Sequence, residues 1–423
     1  MTPAREPNHP SVSTTRTSPG SGRRKSTRVF MPRRRTVELA EQAGQILIAG
    51  VSGTSLDAEE RAWFERIRPG GIILFRRNIE EATQVASLLR EADRTGTTPL
   101  FRCIDLEGGL VDRLRDLIAP MPSPAAVFAT GKRNLYRQHG WLIAREARAL
   151  GFNAVFAPVL DLALKESAAV MRTRVVAAEP GRVIDYARYF LAGMKNEEML
   201  ACGKHFPGLG GGVVDSHQSM PVIHRQTRLM WRSDLAPWLA LAPRLPFAMV
   251  AHASYPWPGR DSVPATVSHY WVTNVLRRQI RFKGIILSDD MEMGGILSQM
   301  SIEEATIQAL LAGIQMIEIC RDPSLIQRAY EAILKEAERS PAFREVVASA
   351  WRKIYRSKKK WLQPISRQNL SETRLTRLCE DVRKFAEQVG EVPAHSAPDP
   401  ERWKGFEERS LQEKDLQEKT LSS

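Results

Sequence analysis

Cysteine is scarce in this chain, with four in 423 residues. Cys103, Cys202, Cys320 and Cys379 show no metal-type spacing, which excludes a disulfide scaffold and argues against a structural zinc site. Three of them, Cys103, Cys202 and Cys320, lie in or beside apolar runs and read as small buried hydrophobes. No stretch of about 18 apolar residues occurs, so a membrane-spanning helix is not expected. The first residues lack the apolar core and small-residue cleavage site of a secretory signal. Neither a P-loop nor a dinucleotide-binding fingerprint is present. Acids are nearly missing from residues 1–36, where nine Lys/Arg face only Glu6. That leader carries +8, which leaves +5 of the total +13 for the rest of the chain. Its Ser, Thr, Pro and Arg content cannot bury a core, and no aromatics interleave the charges as in a nucleic-acid-binding arm. Residues 1–36 are therefore expected to be a disordered basic leader, or an extension upstream of a start at Met31. No nucleic-acid or membrane partner is expected, and a reducing, cytoplasmic setting fits best.

From residue 45 the chain alternates short β-branched runs with longer amphipathic stretches. The runs are Gln45–Val51, Gly71–Phe75, Leu100–Asp105, Ala154–Pro158, Ala201–Phe206, Phe247–Ala253, Gly284–Asp289 and Met316–Cys320. Each is nearly continuous in apolar residues, as a strand buried on both faces should be. Helical patterns lie between most of them, including Glu80–Arg94, Tyr136–Leu150, Arg182–Met199, His269–Ile280 and Ile302–Ala312. Eight such strands predict an α/β fold, a (β/α)₈ TIM-like barrel within residues 37–365. Helices are expected at Ser324–Ser340 and at Phe343–Trp361, the latter against the barrel's outside. Residues 366–423 read as a helical segment over Ser366–Gln388 followed by a charged, disordered tail.

In such a barrel, polar residues at the C-terminal strand ends face the active site. Five of the predicted strands end so: Asp105-Leu106-Glu107, Pro158 to Asp161, Lys204-His205, His252, and Ser288-Asp289-Asp290. Polar tips on one face suit a polyhydroxylated ligand. Asp289 is a candidate glycosidic nucleophile, because cleavage with retention needs a carboxylate beneath the anomeric carbon. Asp290 competes with it, and an N-cap role is open for either. Between Gly203 and Gly212 five glycines surround Lys204-His205 and lead to Asp215-Ser216-His217. An Asp two residues before a His can orient the imidazole for proton transfer; alone, the pair also suits a turn or a stray metal ligand. No further His or Cys clusters there, so no metal is expected.

These pieces resemble the N-terminal barrel of glycoside hydrolase family 3, in particular the bacterial β-N-acetylglucosaminidases that recycle peptidoglycan. The matching segments are GGIILFRRN (70–78), IDLEGGLVDRL (104–114), FAPVLDL (156–162), KHFPGLG (204–210), DSH (215–217), MVAHASYP (249–256), PAT-S (264–268) and GIILSDDMEM (284–293). The resemblance implies that Asp289 is the nucleophile and that Asp215 and His217 form the acid/base dyad. It implies substrate contacts from Asp105, Arg113, Arg174, Lys204 and His205. It also implies a retaining exo-β-N-acetylglucosaminidase, active without cofactor on a glycan of the muropeptide type and expected as a monomer. The rivals are a β-glycosidase or phosphorylase of the same family acting on other sugars, and a sugar-binding barrel without catalysis. The chain departs from the family's common pattern at Leu106, Leu110, Leu209 and Ala163, and it lacks the usual Ser-Phe after Arg174. None of these removes a catalytic group; they bear on the second subsite.

Overall fold

Apolar runs too short for helices and apolar on both faces must be covered from both sides, and here they close on themselves. The computed structural model describes residues 38–214, 219–255, 263–362 and 372–391. Ten strands occur among them: β1 (Leu47–Ala49), β2 (Gly71–Leu74), β3 (Phe101–Ile104), β4 (Leu106–Gly108), β5 (Val111–Asp112), β6 (Ala154–Val155), β7 (Leu200–Phe206), β8 (Phe247–Val250), β9 (Ile285–Asp290) and β10 (Met316–Ile319). Eight form a closed parallel barrel in the order β1-β2-β3-β6-β7-β8-β9-β10, with β10 pairing back onto β1. The expected (β/α)₈ barrel is thus observed, all eight strands falling within or beside the predicted runs. They are shorter than those runs at several ends, because the flanking residues leave the ladder to become loops. The remaining pair, β4 and β5, is a small antiparallel hairpin inserted straight after β3.

The helical layer follows the predicted periodicity, with helices at Ala82–Arg94, Arg133–Leu150, Pro180–Asn196, Tyr270–Gln279, Ile302–Ala312 and Pro323–Arg339. Local chemistry starts several of them. Asp57 and Glu60 form a reciprocal capping box at Ala58–Ile67, and the Ser301 and Ser340 side chains accept from backbone N–H groups three residues on.

Helix Pro341–Trp361 differs from the expectation. Its Val347, Ala350 and Ile354 are buried against the protein, but its last turn tucks beneath the strand starts. Phe101 and Phe247, the first residues of β3 and β8, meet edge to face at 5.1 Å between ring centroids. Trp361 lies 5.7 Å from the Phe247 ring and 6.5 Å from Phe101. These rings fill the N-terminal mouth with large apolar area and edge-to-face contacts. Lys358 is buried among them, its Nζ donating to Gln45 Oε1 at 2.8 Å and lying 5.3 Å over the Phe101 ring.

The helix expected within Ser366–Gln388 is observed as Glu372–Val389. It buries Leu378, Val382, Phe385 and Ala386, a spacing of four, three and one that puts them on one helical face. Arg145 of Arg133–Leu150 pairs with Asp381 at 3.1 Å. The basic leader and the tail after residue 391 lie outside the described residues.

Candidate active site

At the opposite mouth, where the strands end, the chain puts charges where β7 abandons regular pairing. Adjacent residues of a regular strand point to opposite faces. The register of β7 against β8 shifts between Gly203 and Phe206, and within that irregular stretch Lys204 and His205 both join one polar network. Lys204 is buried, with Nζ 2.7 Å from Asp105 Oδ1 and 2.6 Å from Glu107 Oε1. Glu107, on β4, also takes a two-pronged guanidinium contact from Arg174, at 2.9 and 2.8 Å. Two carboxylates and two cations therefore neutralise one another, which is what permits them to be buried. Burial pushes the Glu107 carboxyl up, but the Arg174 and Lys204 charges outweigh it and hold it well below the ordinary range. Burial likewise lowers the Lys204 ammonium, and Asp105 and Glu107 reverse the shift to a net rise.

His205 is set by a second acid. Its Nδ1 lies 2.6 Å from Asp161 Oδ2, while the other Asp161 oxygen accepts the Leu209 N–H at 2.7 Å. His205 Nε2 stands 3.5 Å from the Arg174 guanidinium. A guanidinium has only donors, so Nε2 is the acceptor and Nδ1–H donates to Asp161. The loop then runs tightly past the site: a Cβ at Gly210 would come within 2.7 Å of the Leu162 carbonyl oxygen. Here glycine serves close packing.

Across the mouth, Asp289 is half-buried at the end of β9, its Oδ1 accepting the Asp290 N–H at 3.0 Å. The Asp290 carbonyl is held by His252 Nε2 at 3.0 Å, and His252 Nδ1 lies 2.9 Å from the Thr266 hydroxyl. Burial, then the charge of Glu292, raises the Asp290 carboxyl to about 7. Beneath these, Glu318 of β10 is buried inside the barrel, with Oε1 accepting from the Cys320 thiol at 3.2 Å. Burial and the charges of Asp105, Asp290 and Asp289 push its carboxyl well up. Among the described residues, no group of three or more His, Cys, Asp and Glu is arranged to hold a metal ion. No helix among them is long and apolar enough to cross a membrane.

A parallel eight-stranded barrel with this polar rim has counterparts. Residues 38–355 match the model of the glycosyl hydrolase family 3 N terminal domain. The chain belongs to this family of glycoside hydrolases. It is similar to a beta-hexosaminidase of Pseudomonas aeruginosa, 36% identical over 323 residues, which cover 76% of this chain and 96% of the relative. A beta-hexosaminidase of Idiomarina loihiensis is 34% identical over 302 residues, covering 70% of this chain and 90% of the relative. Among solved structures, a family 3 beta-N-acetylglucosaminidase from Paenibacillus sp. str. FPU-7 superposes with a TM-score of 0.74 at 28% identity, covering 83% of this chain and 69% of that one. Native NagZ from Neisseria gonorrhoeae gives 0.66 at 27% identity, covering 81% and 98%.

In this family 3 chain, Asp105, Arg174, Lys204 and His205, expected as substrate contacts, converge on one polar network. Arg113 follows β5 and stacks over the Phe75 ring at 5.5 Å, with a buried Nε that has no hydrogen-bond partner. Asp215 and His217 lie outside the described residues. His252 and Ser288 are wholly buried; the imidazole holds the β9 backbone at the Asp290 carbonyl, and the Ser288 hydroxyl accepts the Glu318 N–H at 2.9 Å. Glu107 and Asp161, which the reading includes only as polar tips, prove to be the acids that fix Arg174, Lys204 and His205. Glu318 is missing from the reading altogether, although a lone acid in the apolar run Met316–Cys320 was a signal for it.

Proposed function

We propose that this chain is a retaining exo-β-N-acetylglucosaminidase that releases terminal β-linked GlcNAc from peptidoglycan-derived muropeptides in the cytoplasm. The observation that carries this reading is the pairing of a neutralised Asp105–Lys204–Glu107–Arg174 network with a separate half-buried carboxylate, Asp289, at the same mouth. Asp105 and Arg174 stay partly exposed and present an acceptor and the remaining guanidinium N–H groups to adjacent sugar hydroxyls and the acetamido group. Lys204, His205 and Arg113 complete the grip. With the sugar held there, Asp289 attacks the anomeric carbon and becomes bonded to it as the aglycone oxygen departs. His217 gives that oxygen its proton, then removes one from the water that cleaves the glycosyl-enzyme, and Asp215 holds its tautomer. The names of the hexosaminidase and glucosaminidase relatives support the choice of sugar. No cofactor enters these steps.

The test is turnover of an aryl N-acetyl-β-glucosaminide by wild type and Asp289→Ala, with the first-formed anomer read by NMR. The wild type is expected to release the β-anomer, and the variant to lose roughly a thousandfold or more in kcat with its melting temperature near that of wild type. An α-anomer, or equal rates, would rule the mechanism out.

A further inference from the structure

The sugar-gripping hairpin is backed by a segment outside the matched family domain. The β4–β5 turn, Gly108-Gly109, has φ of 91° and 58°, a left-handed pair that glycine adopts readily. It is also pressed from behind: a Cβ on Gly109 would lie 2.6 Å from Ser123 Cβ, and one on Gly108 would lie 3.0 Å from His139 Nε2. The Gly109 N–H donates to the Met121 carbonyl at 2.8 Å, and the Met121 N–H donates to Asp112 Oδ2 at 2.9 Å. The hairpin therefore takes its position from residues 121–123 and from His139.

Both supports are held in turn by the C-terminal segment. Glu391 accepts from the Ser123 N–H at 2.7 Å and from its hydroxyl at 3.1 Å. Phe385 stacks on His139, with ring centroids 5.8 Å apart and planes 26° from parallel. These are separate contacts that reach both residues of one turn, and they come from residues beyond the 38–355 match.

We propose that residues 372–391 are a strut for the sugar site, with Glu391 a positioning residue acting through Ser123 and Gly109 on the hairpin that carries Glu107 and leads to Arg113. Its effect on substrate rests on the glycosidase reading above. A loosened hairpin would misplace Glu107, and with it Arg174 and Lys204, without touching Asp289. Binding should then suffer more than chemistry.

The experiment compares wild type, Glu391→Ala and Glu391→Gln by hydrogen exchange over residues 106–122 and by kinetics on the aryl N-acetyl-β-glucosaminide. Glu391→Ala is expected to speed exchange at the Gly109 and Met121 amides about tenfold, with exchange in β9 unchanged. KM should rise roughly fivefold with kcat within about twofold. Glu391→Gln keeps an acceptor oxygen for the Ser123 N–H and should recover most of both losses. Wild-type exchange in the hairpin of Glu391→Ala, or a lowered melting temperature with unchanged KM, overturns the strut. If the wild type fails to turn over the substrate, the glycosidase reading falls and the exchange arm alone still decides the strut.

Discussion

The two mouths of this barrel solve the same problem of closure by opposite means. At the strand starts the gap is filled by Phe101, Phe247 and Trp361, and a single ammonium, Lys358, is enclosed with a neutral amide acceptor. At the strand ends the filling is ionic, with Lys204 and Arg174 set between Asp105 and Glu107. The aromatic mouth contributes stability through buried area and ring contacts. The ionic mouth contributes little net stability, because desolvation offsets most of the Coulomb attraction. What it supplies is a set of polar groups already in place for a ligand, and its stability is the more fragile to losing one partner.

The largest expected effect therefore comes from Glu107→Gln. The change is nearly isosteric but takes from Arg174 its paired carboxylate and leaves Lys204 with Asp105 as its partner, and breaking a buried pair costs roughly 3 kcal/mol. Denaturant unfolding at neutral pH should show that loss, together with a higher KM. Because the native Glu107 carboxyl is held below its ordinary value of 4.5, its contribution is present above that pH. It is lost as pH falls toward the depressed native value. The gap between wild type and variant should therefore shrink under acid; a gap constant down to strongly acidic pH would contradict the pairing.

Trp361→Ala is the counterpart at the other mouth. Trp361 is only half-buried, so about 2 kcal/mol of stability should be lost, with KM and kcat unchanged. A change in KM here would mean that the two mouths are not independent.

This contrast also divides what the sequence shows from what it hides. The barrel was legible because each strand is buried on both faces, and a short continuous apolar run has few other uses. Lys204 and Asp105 were legible as polar tips on such runs. Glu107 and Asp161 were visible as acids, but their partners lie 67 and 44 residues away, so their roles depend on pairing that no local pattern encodes. His252 was visible as a polar tip, but its contacts with the Asp290 carbonyl and the Thr266 hydroxyl are pairings that no local pattern encodes. The helix near residue 380 was expected within Ser366–Gln388. Its contact with the sugar hairpin was not, since Glu391 and Ser123 are 268 residues apart.

Lys358 provides the finest test of the contrast. Burial lowers its ammonium to about 7, with the charge of Asp93 opposing only in part. A base whose native value lies below its ordinary 10.5 penalises the folded state wherever it must be protonated. The penalty is complete below the native value and fades as pH rises from about 7 toward 10.5. Lys358→Met keeps the length of the side chain and its packing on Phe101, removes the charge, and leaves Gln45 Oε1 without that donor. At pH 6 the variant should equal or exceed wild type in stability. By pH 10 wild type should have recovered most of that penalty relative to it, as its neutral amine keeps the Gln45 hydrogen bond. Melting temperatures at the two pH values decide this. Parallel pH profiles for the two proteins would mean that the ammonium reaches water, and that the aromatic mouth is less closed than its ring contacts indicate.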